Sequence, residues 1–188
     1  GEVIKKCKKK IDYLNVGGGF PSVYEGMKPP PLESYFKVIN HEFSIINKSN
    51  MTLIAEPGRA LVAECMSLIV RVDLRKDNKL YINDGIYGHL HAAGKPGFSF
   101  PVRMISKNNT QNNKVPFSFY GPTCDSNDYM AGPFYLPMNI NEGDFIEIGH
   151  LGAYSNTMKT NFNGFSYSDR VVIIRDESIL DIFKSRVN

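Results

Sequence analysis

Two segments of the chain share one design, in which an apolar strand ends in glycine and a helix follows. The first reads LNVGGGFP at residues 14–21, and the second reads LIAEPGRALVAE at residues 53–64. This design constrains the fold, because it places glycine-containing turns directly after two strands. In barrel enzymes that edge of the sheet binds ligands, often through a phosphate group.

Each of the two turns carries residue types that suit an anion. Gly17, Gly18 and Gly19 let backbone N–H groups approach an anion with no side chain in the way, although a flexible turn is the structural alternative. Arg59 has the planar fork that binds phosphate, and Glu56 could serve the opposite pole of the same ligand. A salt bridge within the chain is the alternative for that acid and that arginine.

A third segment, GPTCDSNDY at residues 121–129, places a thiol beside two carboxylates. Its first two residues are Gly-Pro, which indicate a turn or a loop. Cys124, Asp125 and Asp128 on such a loop suit a site that transfers a proton and holds a cation. Taken alone, the same residues also fit a buried cysteine beside a solvated turn.

Composition limits the class of protein. The chain has 188 residues and a formal net charge of +3, which is too small to imply a nucleic-acid partner. No apolar run approaches the roughly 20 residues that cross a bilayer, so no membrane partner is expected. The first ten residues are basic and polar and do not form a signal peptide, and we expect a cytoplasmic protein.

The cysteines and histidines do not indicate a metal site. Cys7, Cys65 and Cys124 form neither a metal-binding spacing nor an even disulfide framework, and free thiols in a reducing compartment are the simplest account. His89 and His91 alternate as neighbours on one face of a strand, but two histidines alone do not make a metal site. We therefore predict that the chain binds no metal.

Periodicity and breaker residues predict an α+β chain in two parts, residues 1–66 and residues 67–188. In the first part, two βα units are predicted, with strands at 11–16 and 52–55 and helices at 32–46 and from 59 to about 66. The second part is predicted to be all-β, barrel- or sandwich-like, with strands at 67–74, 79–83, 99–105, 115–120, 144–148 and 169–175. A hairpin turn at 76–78, a polar loop at 108–114 and a short helix at 177–184 complete this prediction.

Several short segments occur along the chain in the order that is typical of one enzyme family. They are GGGFP at 17–21, EPGR at 56–59, NDGIYG at 83–88, GPTCDSND at 121–128, GAYS at 152–155 and FNGF at 162–165. With these segments the chain resembles the ornithine/diaminopimelate/arginine decarboxylases, the fold-type III enzymes that use pyridoxal 5′-phosphate (PLP). The Cys-Asp pair is typical of the ornithine and lysine branch.

The resemblance implies a role for each candidate residue. The implied PLP ligands are Glu56 at the pyridine nitrogen and Gly17, Gly18, Gly19, Arg59 and Tyr154 at the phosphate. Gly58 is implied as a further cofactor-binding residue. Cys124 would protonate the substrate carbon after CO₂ leaves. Asp125 and Asp128 would hold the distal ammonium of a basic amino acid, in a pocket that Phe162 lines. The resemblance also implies a homodimer with shared active sites, in which Cys124 and Asp125 serve the partner's cofactor.

Length indicates that the resemblance covers the C-terminal part of such an enzyme. A barrel of this type takes about 250 residues by itself, and the family's PLP-binding lysine and ring-stacking histidine precede the GGGFP segment. Residues 1–66 would then be the remnant of the barrel, and we expect this chain alone to be inactive. The leading activity is decarboxylation of ornithine to putrescine, in polyamine biosynthesis, with lysine to cadaverine next.

One departure from the family's pattern concerns the substrate. Animal-type ornithine decarboxylases carry a Tyr-Asp pair downstream of the NDG segment, whereas this chain reads HLHAAGKPGF at residues 89–98 with no acid. This departure leaves the choice of substrate open. The alternative function is that of a non-catalytic relative that acts by binding a partner, as antizyme inhibitors do.

Overall fold

The computed structural model describes residues 2–7, 9–47, 50–94, 99–105, 113–165 and 171–175. The chain separates into two compact units. Unit 1 comprises Gly1–Val23 and Met27–Val62, and unit 2 comprises Tyr24–Gly26 and Ala63–Asn188.

Unit 1 is built around one pair of parallel strands. Its elements are α1 (Glu2–Lys6), β1 (Tyr13–Asn15), α2 (Leu32–Ile46), β2 (Thr52–Ile54) and α3 (Arg59–Val62). β1 and β2 pair in parallel, with Leu14 opposite Leu53. Helix α2 lies between them in the chain and confirms the predicted bounds. The predicted second helix is shorter, because α-helical hydrogen bonding ends at Val62 and a 3₁₀ turn follows at Ala63–Cys65.

Local sequence explains where α2 begins and how it packs. Three prolines precede it, and the last, Pro31, has an extended backbone and caps the helix, because a proline fits at a helix start but not in its interior. Phe20, which is 7% exposed, stacks on Phe36 at 4.9 Å and meets Tyr35 edge-on at 6.3 Å. The residue that follows the glycine run is therefore held against the apolar side of the helix.

Unit 2 is a six-stranded mixed sheet. Its strands are β3 (Leu68–Lys76), β4 (Lys79–Ile82), β5 (Val102–Ile105), β6 (Lys114–Tyr120), β7 (Tyr129–Pro137) and β8 (Phe145–Ile148). Their order across the sheet is β5-β8-β3-β4-β6-β7. The β4–β6 pair is parallel and the other pairs are antiparallel. The edge strands β5 and β7 approach each other, so the sheet is curled.

The inner face of this sheet holds the core of unit 2. Alternation along each strand points every second side chain inward. The fully buried members include Val70, Val72, Leu80, Ile82, Phe117, Phe119, Met130, Phe134, Leu136, Ile146 and Ile148. Phe119 and Phe134 stack with ring centroids 4.1 Å apart. This core fixes the loops at the strand ends, which carry the candidate site.

The predicted strands of unit 2 are largely confirmed. The β3–β4 hairpin, β5, β6 and β8 all lie where strands were predicted. Strand β7 was not predicted, because it contains Gly132, Pro133 and Pro137, which normally indicate breaks in a strand. The strand predicted at 169–175 is wrong for residues 171–175, which form no strand. Residues 169–170, most of the polar loop at 108–114 and the helix at 177–184 lie outside the described residues.

Candidate functional site

In unit 1, the glycine run and the EPGR segment lie side by side at the carboxyl ends of β1 and β2. The parallel ladder continues past both strands, since the Glu56 N–H donates to the Gly17 carbonyl at 2.8 Å. Gly18 approaches so closely that a Cβ built on it would lie 2.6 Å from the Glu56 carbonyl oxygen. A larger residue cannot occupy position 18 without moving the backbone, and this explains the central glycine.

The flanking glycines are open to their surroundings. Gly17 and Gly19 both have positive φ angles, 73° and 83°, and a Cβ on either would meet nothing within 4 Å. The Gly17 N–H donates to the Asn15 side chain at 2.8 Å. Within the described residues, the N–H groups of Gly18 and Gly19 have no hydrogen-bond acceptor. The segment therefore offers two backbone donors that no described group accepts from, next to open glycines, which fits an anion such as a phosphate.

The remaining predicted PLP ligands of unit 1 lie on the same edge. Glu56 lies two residues after the end of β2 and is exposed, Gly58 is exposed, and Arg59 begins α3 and is half-buried. The structure therefore brings the glycine run, the acid and the arginine to the ends of two neighbouring strands. Their individual roles stay predictions.

In unit 2, the loop at 121–128 is held by its own second carboxylate. Asp128 is 2% exposed, and its Oδ1 accepts the Ile86 N–H at 2.9 Å. Its Oδ2 accepts the Thr123 N–H at 3.1 Å and the Thr123 hydroxyl at 2.7 Å. A Cβ on Gly85 or on Gly121 would lie 2.1 or 2.2 Å from this carboxylate. Two glycines thus make room for Asp128 between the two loops.

These contacts give Asp128 a role that the sequence did not indicate. The buried carboxylate joins the NDG loop at residues 83–88 to the Cys-Asp loop at residues 121–128. Its hydrogen bonds to the described residues are those of an anchor for the two loops. The predicted role of Asp128 in holding a substrate ammonium stays a prediction, and these contacts do not support it.

The neighbouring Asp125 is half-buried and forms a hydrogen bond with Tyr87. The Tyr87 hydroxyl donates to one carboxylate oxygen, while the backbone N–H and side-chain amide of Asn127 donate to the other at 2.9 and 3.1 Å. The Asn127 backbone N–H, helped by the Tyr87 hydroxyl, lowers the pKa of Asp125 from its ordinary value. The hydrogen bond between Tyr87 and Asp125 also raises the pKa of Tyr87, because the carboxylate favours the protonated phenol. Asp125 is therefore an ionised carboxylate at neutral pH.

Cys124 is exposed, and a side chain from the FNGF segment contacts it. The Asn163 amide donates to the Cys124 sulfur at 3.0 Å. Asn163 has a positive φ of 54°, a left-handed conformation that asparagine adopts more readily than most residues. The thiol thus lies next to Asp125 in sequence and against the 162–165 segment in space.

Phe162 completes this cluster from the same segment. Its ring stacks on Tyr87 with centroids 4.2 Å apart and planes 21° apart. Just before it, Thr160 donates to the Tyr87 carbonyl through its N–H at 2.8 Å and through its hydroxyl at 3.1 Å. The structure therefore brings Cys124, Asp125 and Phe162 together around Tyr87, from three loops of unit 2.

Tyr154 is presented from the same long loop, residues 151–165. It is 53% exposed and has a positive φ of 60°, although it lies between the buried residues Ala153 and Ser155. The Ser155 hydroxyl donates to the Leu151 carbonyl at 2.7 Å. A non-glycine residue in the left-handed region persists only where the surrounding structure enforces it, and such residues concentrate at functional sites. The predicted contact of Tyr154 with phosphate stays a prediction.

Tyr87 and Asn163 were not predicted as members of the cluster. Both lie in segments that carry the resemblance, NDGIYG and FNGF, which is the signal that could have found them. Asp84 and His89 also had no predicted role, and they form a buried pair with Oδ2 and Nδ1 2.6 Å apart. His89 was instead considered as a strand neighbour of His91, whereas His91 begins a 3₁₀ turn at His91–Gly94.

In the described part of the chain, no three His, Cys, Asp or Glu side chains are grouped so that they could hold a metal ion. Of the helices in those ranges, none is both long and apolar enough to cross a bilayer. Cys7, Cys65 and Cys124 are exposed free thiols.

Comparisons with known proteins show the family to which this chain is similar. The family described as pyridoxal-dependent decarboxylase, C-terminal sheet domain, matches residues 12–152. Ornithine decarboxylase of Caenorhabditis elegans is 30% identical over 194 residues, which cover 89% of this chain and 43% of that protein. Antizyme inhibitor 2 of Xenopus laevis is 30% identical over 198 residues, which cover 89% of this chain and 40% of that protein.

A solved structure of a decarboxylase also matches this chain. The crystal structure of lysine/ornithine decarboxylase from Vibrio vulnificus, complexed with cadaverine, is 29% identical with a TM-score of 0.71, and the match covers 88% of this chain and 45% of that one. The chain therefore spans less than half the length of these relatives. Because the family match extends over most of its residues, the chain belongs to the pyridoxal-dependent ornithine/diaminopimelate/arginine decarboxylase family, whose C-terminal sheet domain it carries.

Proposed function

We propose that this chain is the C-terminal part of a PLP-dependent decarboxylase of a basic amino acid, with ornithine the leading substrate and lysine next. The observation that carries the proposal is the cluster in unit 2, where a thiol, an ionised carboxylate and an aromatic ring converge. Cys124 and Asp125 come from one loop, Tyr87 from a second and Phe162 from a third. A decarboxylase of a basic amino acid needs these groups, one to donate a proton and the others to hold a cationic side chain.

The carboxyl edge of unit 1 fits the phosphate of PLP. Within the described residues the N–H groups of Gly18 and Gly19 have no acceptor, the space beside Gly19 is open, and Arg59 follows on the neighbouring strand end. Glu56 on the same edge is the proposed partner of the pyridine nitrogen. When bound, PLP supplies an electron sink that takes up the electron pair left by the departing CO₂.

Cys124 is the proposed proton donor. The Asn163 amide donates to its sulfur, so the S–H hydrogen must point in another direction. Since the side chain is exposed, that hydrogen is available to a substrate carbon that arrives from outside unit 2. Asn163 thereby orients the thiol without taking up its proton.

Asp125 is the proposed partner of the substrate's distal ammonium. Its lowered pKa keeps it negatively charged at neutral pH, and it remains half-buried, where attraction to a cation is stronger than in bulk water. The stacked rings of Tyr87 and Phe162 form an apolar wall beside it, which suits the methylene chain of ornithine or lysine. No acid occurs at residues 89–98, so we propose Asp125 as the main determinant of charge recognition.

The active protein is proposed to be a homodimer in the cytoplasm, with each site shared between subunits. The relatives are more than twice as long as the matched region. We therefore expect the 188-residue chain alone to release no CO₂ from ornithine or lysine.

Complementation tests the proposal. The N-terminal part of the Vibrio vulnificus enzyme that this chain does not match would be fused to it, and CO₂ release from ornithine and lysine measured. We expect release that Cys124→Ala abolishes and that Cys65→Ala, at an exposed thiol outside the cluster, retains. A folded, PLP-loaded fusion that releases no CO₂ would refute the proposed decarboxylase activity. Release of CO₂ by the 188-residue chain alone would refute the expectation that this chain is inactive by itself.

A partner-binding function is the second candidate. The likeness to antizyme inhibitor 2, at the same 30% identity as ornithine decarboxylase, favours it. Retention of Glu56, Arg59 and Cys124 together favours the enzyme. A fusion that binds antizyme but releases no CO₂ from either amino acid would establish the second candidate instead.

A further inference from the structure

A chain of three polar side chains, two of them buried, joins two loops of the candidate site. Asp84 and His89 are 4% and 3% exposed, and the Asp84 Oδ2 lies 2.6 Å from the His89 Nδ1. The other ring nitrogen, Nε2, lies 3.2 Å from the Asn156 Oδ1. The first two residues belong to the loop that carries Tyr87, and the third follows Tyr154 by two positions.

The Asp84 carboxylate fixes the position of the imidazole ring. Its Oδ1 accepts the backbone N–H groups of Gly85 at 2.7 Å and of His89 at 2.9 Å. Because an ionised carboxylate only accepts hydrogen bonds, the Nδ1 that faces Oδ2 carries a proton. His89 is thereby held through its backbone N–H and through its Nδ1, and its Nε2 is directed at Asn156.

The contact with Asn156 survives either charge state of the ring. A protonated Nε2 donates to the amide oxygen, and an unprotonated Nε2 accepts from the amide nitrogen once the amide has turned over. The buried pair therefore holds Asn156 whether His89 is neutral or charged.

Asn156 occupies the middle of a loop whose other anchors lie on either side of it. Upstream, the Leu151 N–H donates to the Met66 carbonyl at 2.9 Å, and Ser155 is buried. Downstream, Thr160 is bonded to the Tyr87 carbonyl. Asn156 itself is exposed, and its hydrogen bond to a buried ring ties this middle stretch to the unit.

We propose that His89 is a positioning residue, which acts through Asn156 to hold the loop at 154–159 and with it Tyr154. Asp84 supports it by fixing the ring. The inference deepens the proposed function and rests on it for its purpose, since it concerns how Tyr154 is presented to the cofactor. Its physical content, the coupling of His89 to this loop, can be measured without cofactor or substrate.

Two substitutions at His89 test the contacts of its two ring nitrogens one at a time. The amide of His89→Asn reaches Asp84 as Nδ1 does but not Asn156, whereas the amide of His89→Gln reaches Asn156 as Nε2 does but loses Asp84. Amide hydrogen exchange of residues 154–159 would be measured in the full 188-residue chain. We expect His89→Asn and Asn156→Ala each to speed exchange about threefold to tenfold, the range for one lost hydrogen bond, and His89→Gln to stay near wild type in this loop.

The double variant His89→Asn, Asn156→Ala tests the coupling itself. Because both changes remove the same contact, the double variant should exchange no faster than either single one. Thr157→Ala, at the next exposed residue, is the matched control and should leave exchange unchanged. Nitrogen chemical shifts of the His89 ring should also show a protonated Nδ1 in the wild type, and that signature should persist in Asn156→Ala.

Three results would overturn the inference. They are wild-type exchange in both single variants, additive effects in the double variant, or an unprotonated Nδ1. Any of these would make His89 a core histidine without influence on the loop. None of these measurements uses PLP, so a negative result would leave the proposed function unaffected. Equally, a failed decarboxylation assay would leave the coupling of His89 to the loop unaffected.

Discussion

The two roles considered for Asp128 predict opposite results for Asp128→Asn. If the carboxylate only holds a substrate ammonium, its replacement by an amide of equal size leaves stability unchanged. If it anchors two loops, the amide cannot satisfy all its donors. Asp128 Oδ1 faces the Ile86 N–H, and Oδ2 faces both the N–H and the hydroxyl of Thr123. An amide keeps one oxygen, so an N–H₂ group must face a backbone N–H.

The magnitude follows from burial. Asp128 is 2% exposed, and a buried donor left without an acceptor costs about 1–3 kcal/mol. We therefore expect Asp128→Asn to lower the free energy of unfolding of unit 2 by about 1–3 kcal/mol. Asp128→Ala leaves two backbone donors without an acceptor, and about 2–6 kcal/mol is expected by the same reasoning. Either loss is a large share of the roughly 5–15 kcal/mol that stabilises a typical domain.

Amide exchange of β6 and β7, whose connecting loop contains Asp128, measures this loss. Urea unfolding followed by circular dichroism provides the independent value. Asp73→Asn is the matched control, because Asp73 pairs with Arg71 at the surface, where such pairs contribute about 0–1 kcal/mol. If Asp128→Asn proved as stable as Asp73→Asn, the assignment of Asp128 as a loop anchor would be wrong.

Three further outcomes are expected. Gly121→Ala should destabilise unit 2 by about 1–3 kcal/mol in urea unfolding, because its Cβ would lie 2.2 Å from the Asp128 carboxylate. The control Gly58→Ala should change stability little, because its Cβ would meet nothing within 4 Å. Equal losses of stability in the two variants would contradict this prediction. Asp125 has a lowered pKa, so it stabilises the fold above its unfolded pKa of about 3.9, and this contribution is lost as the pH falls through the folded pKa. Tyr87→Phe should raise the pKa of Asp125 in a carboxyl ¹³C titration, since a favourable donor is removed, and an unchanged value would exclude that role for the hydroxyl. Finally, β1 and β2 leave apolar side chains exposed, so light scattering should show concentration-dependent self-association, and a monomer at all concentrations would refute it.

The sequence alone determined the features that depend on neighbouring residues. Helix α2 has its predicted bounds, because its apolar spacing and the three preceding prolines act within a few turns. The glycine run and the EPGR segment were expected at strand ends and lie there together. The motif order also identified the family, since each motif is a short and local pattern.

Only the tertiary structure decided which side chains meet. Tyr87 contacts Asp125 across 38 positions, and Asn163 contacts Cys124 across 39. Such partners depend on the order of strands in the sheet, which brings distant loops to one place and which no local periodicity encodes. For the same reason Asp128, an acid on a predicted loop, proved to be buried between two glycines, since burial depends on what packs against a residue rather than on its type.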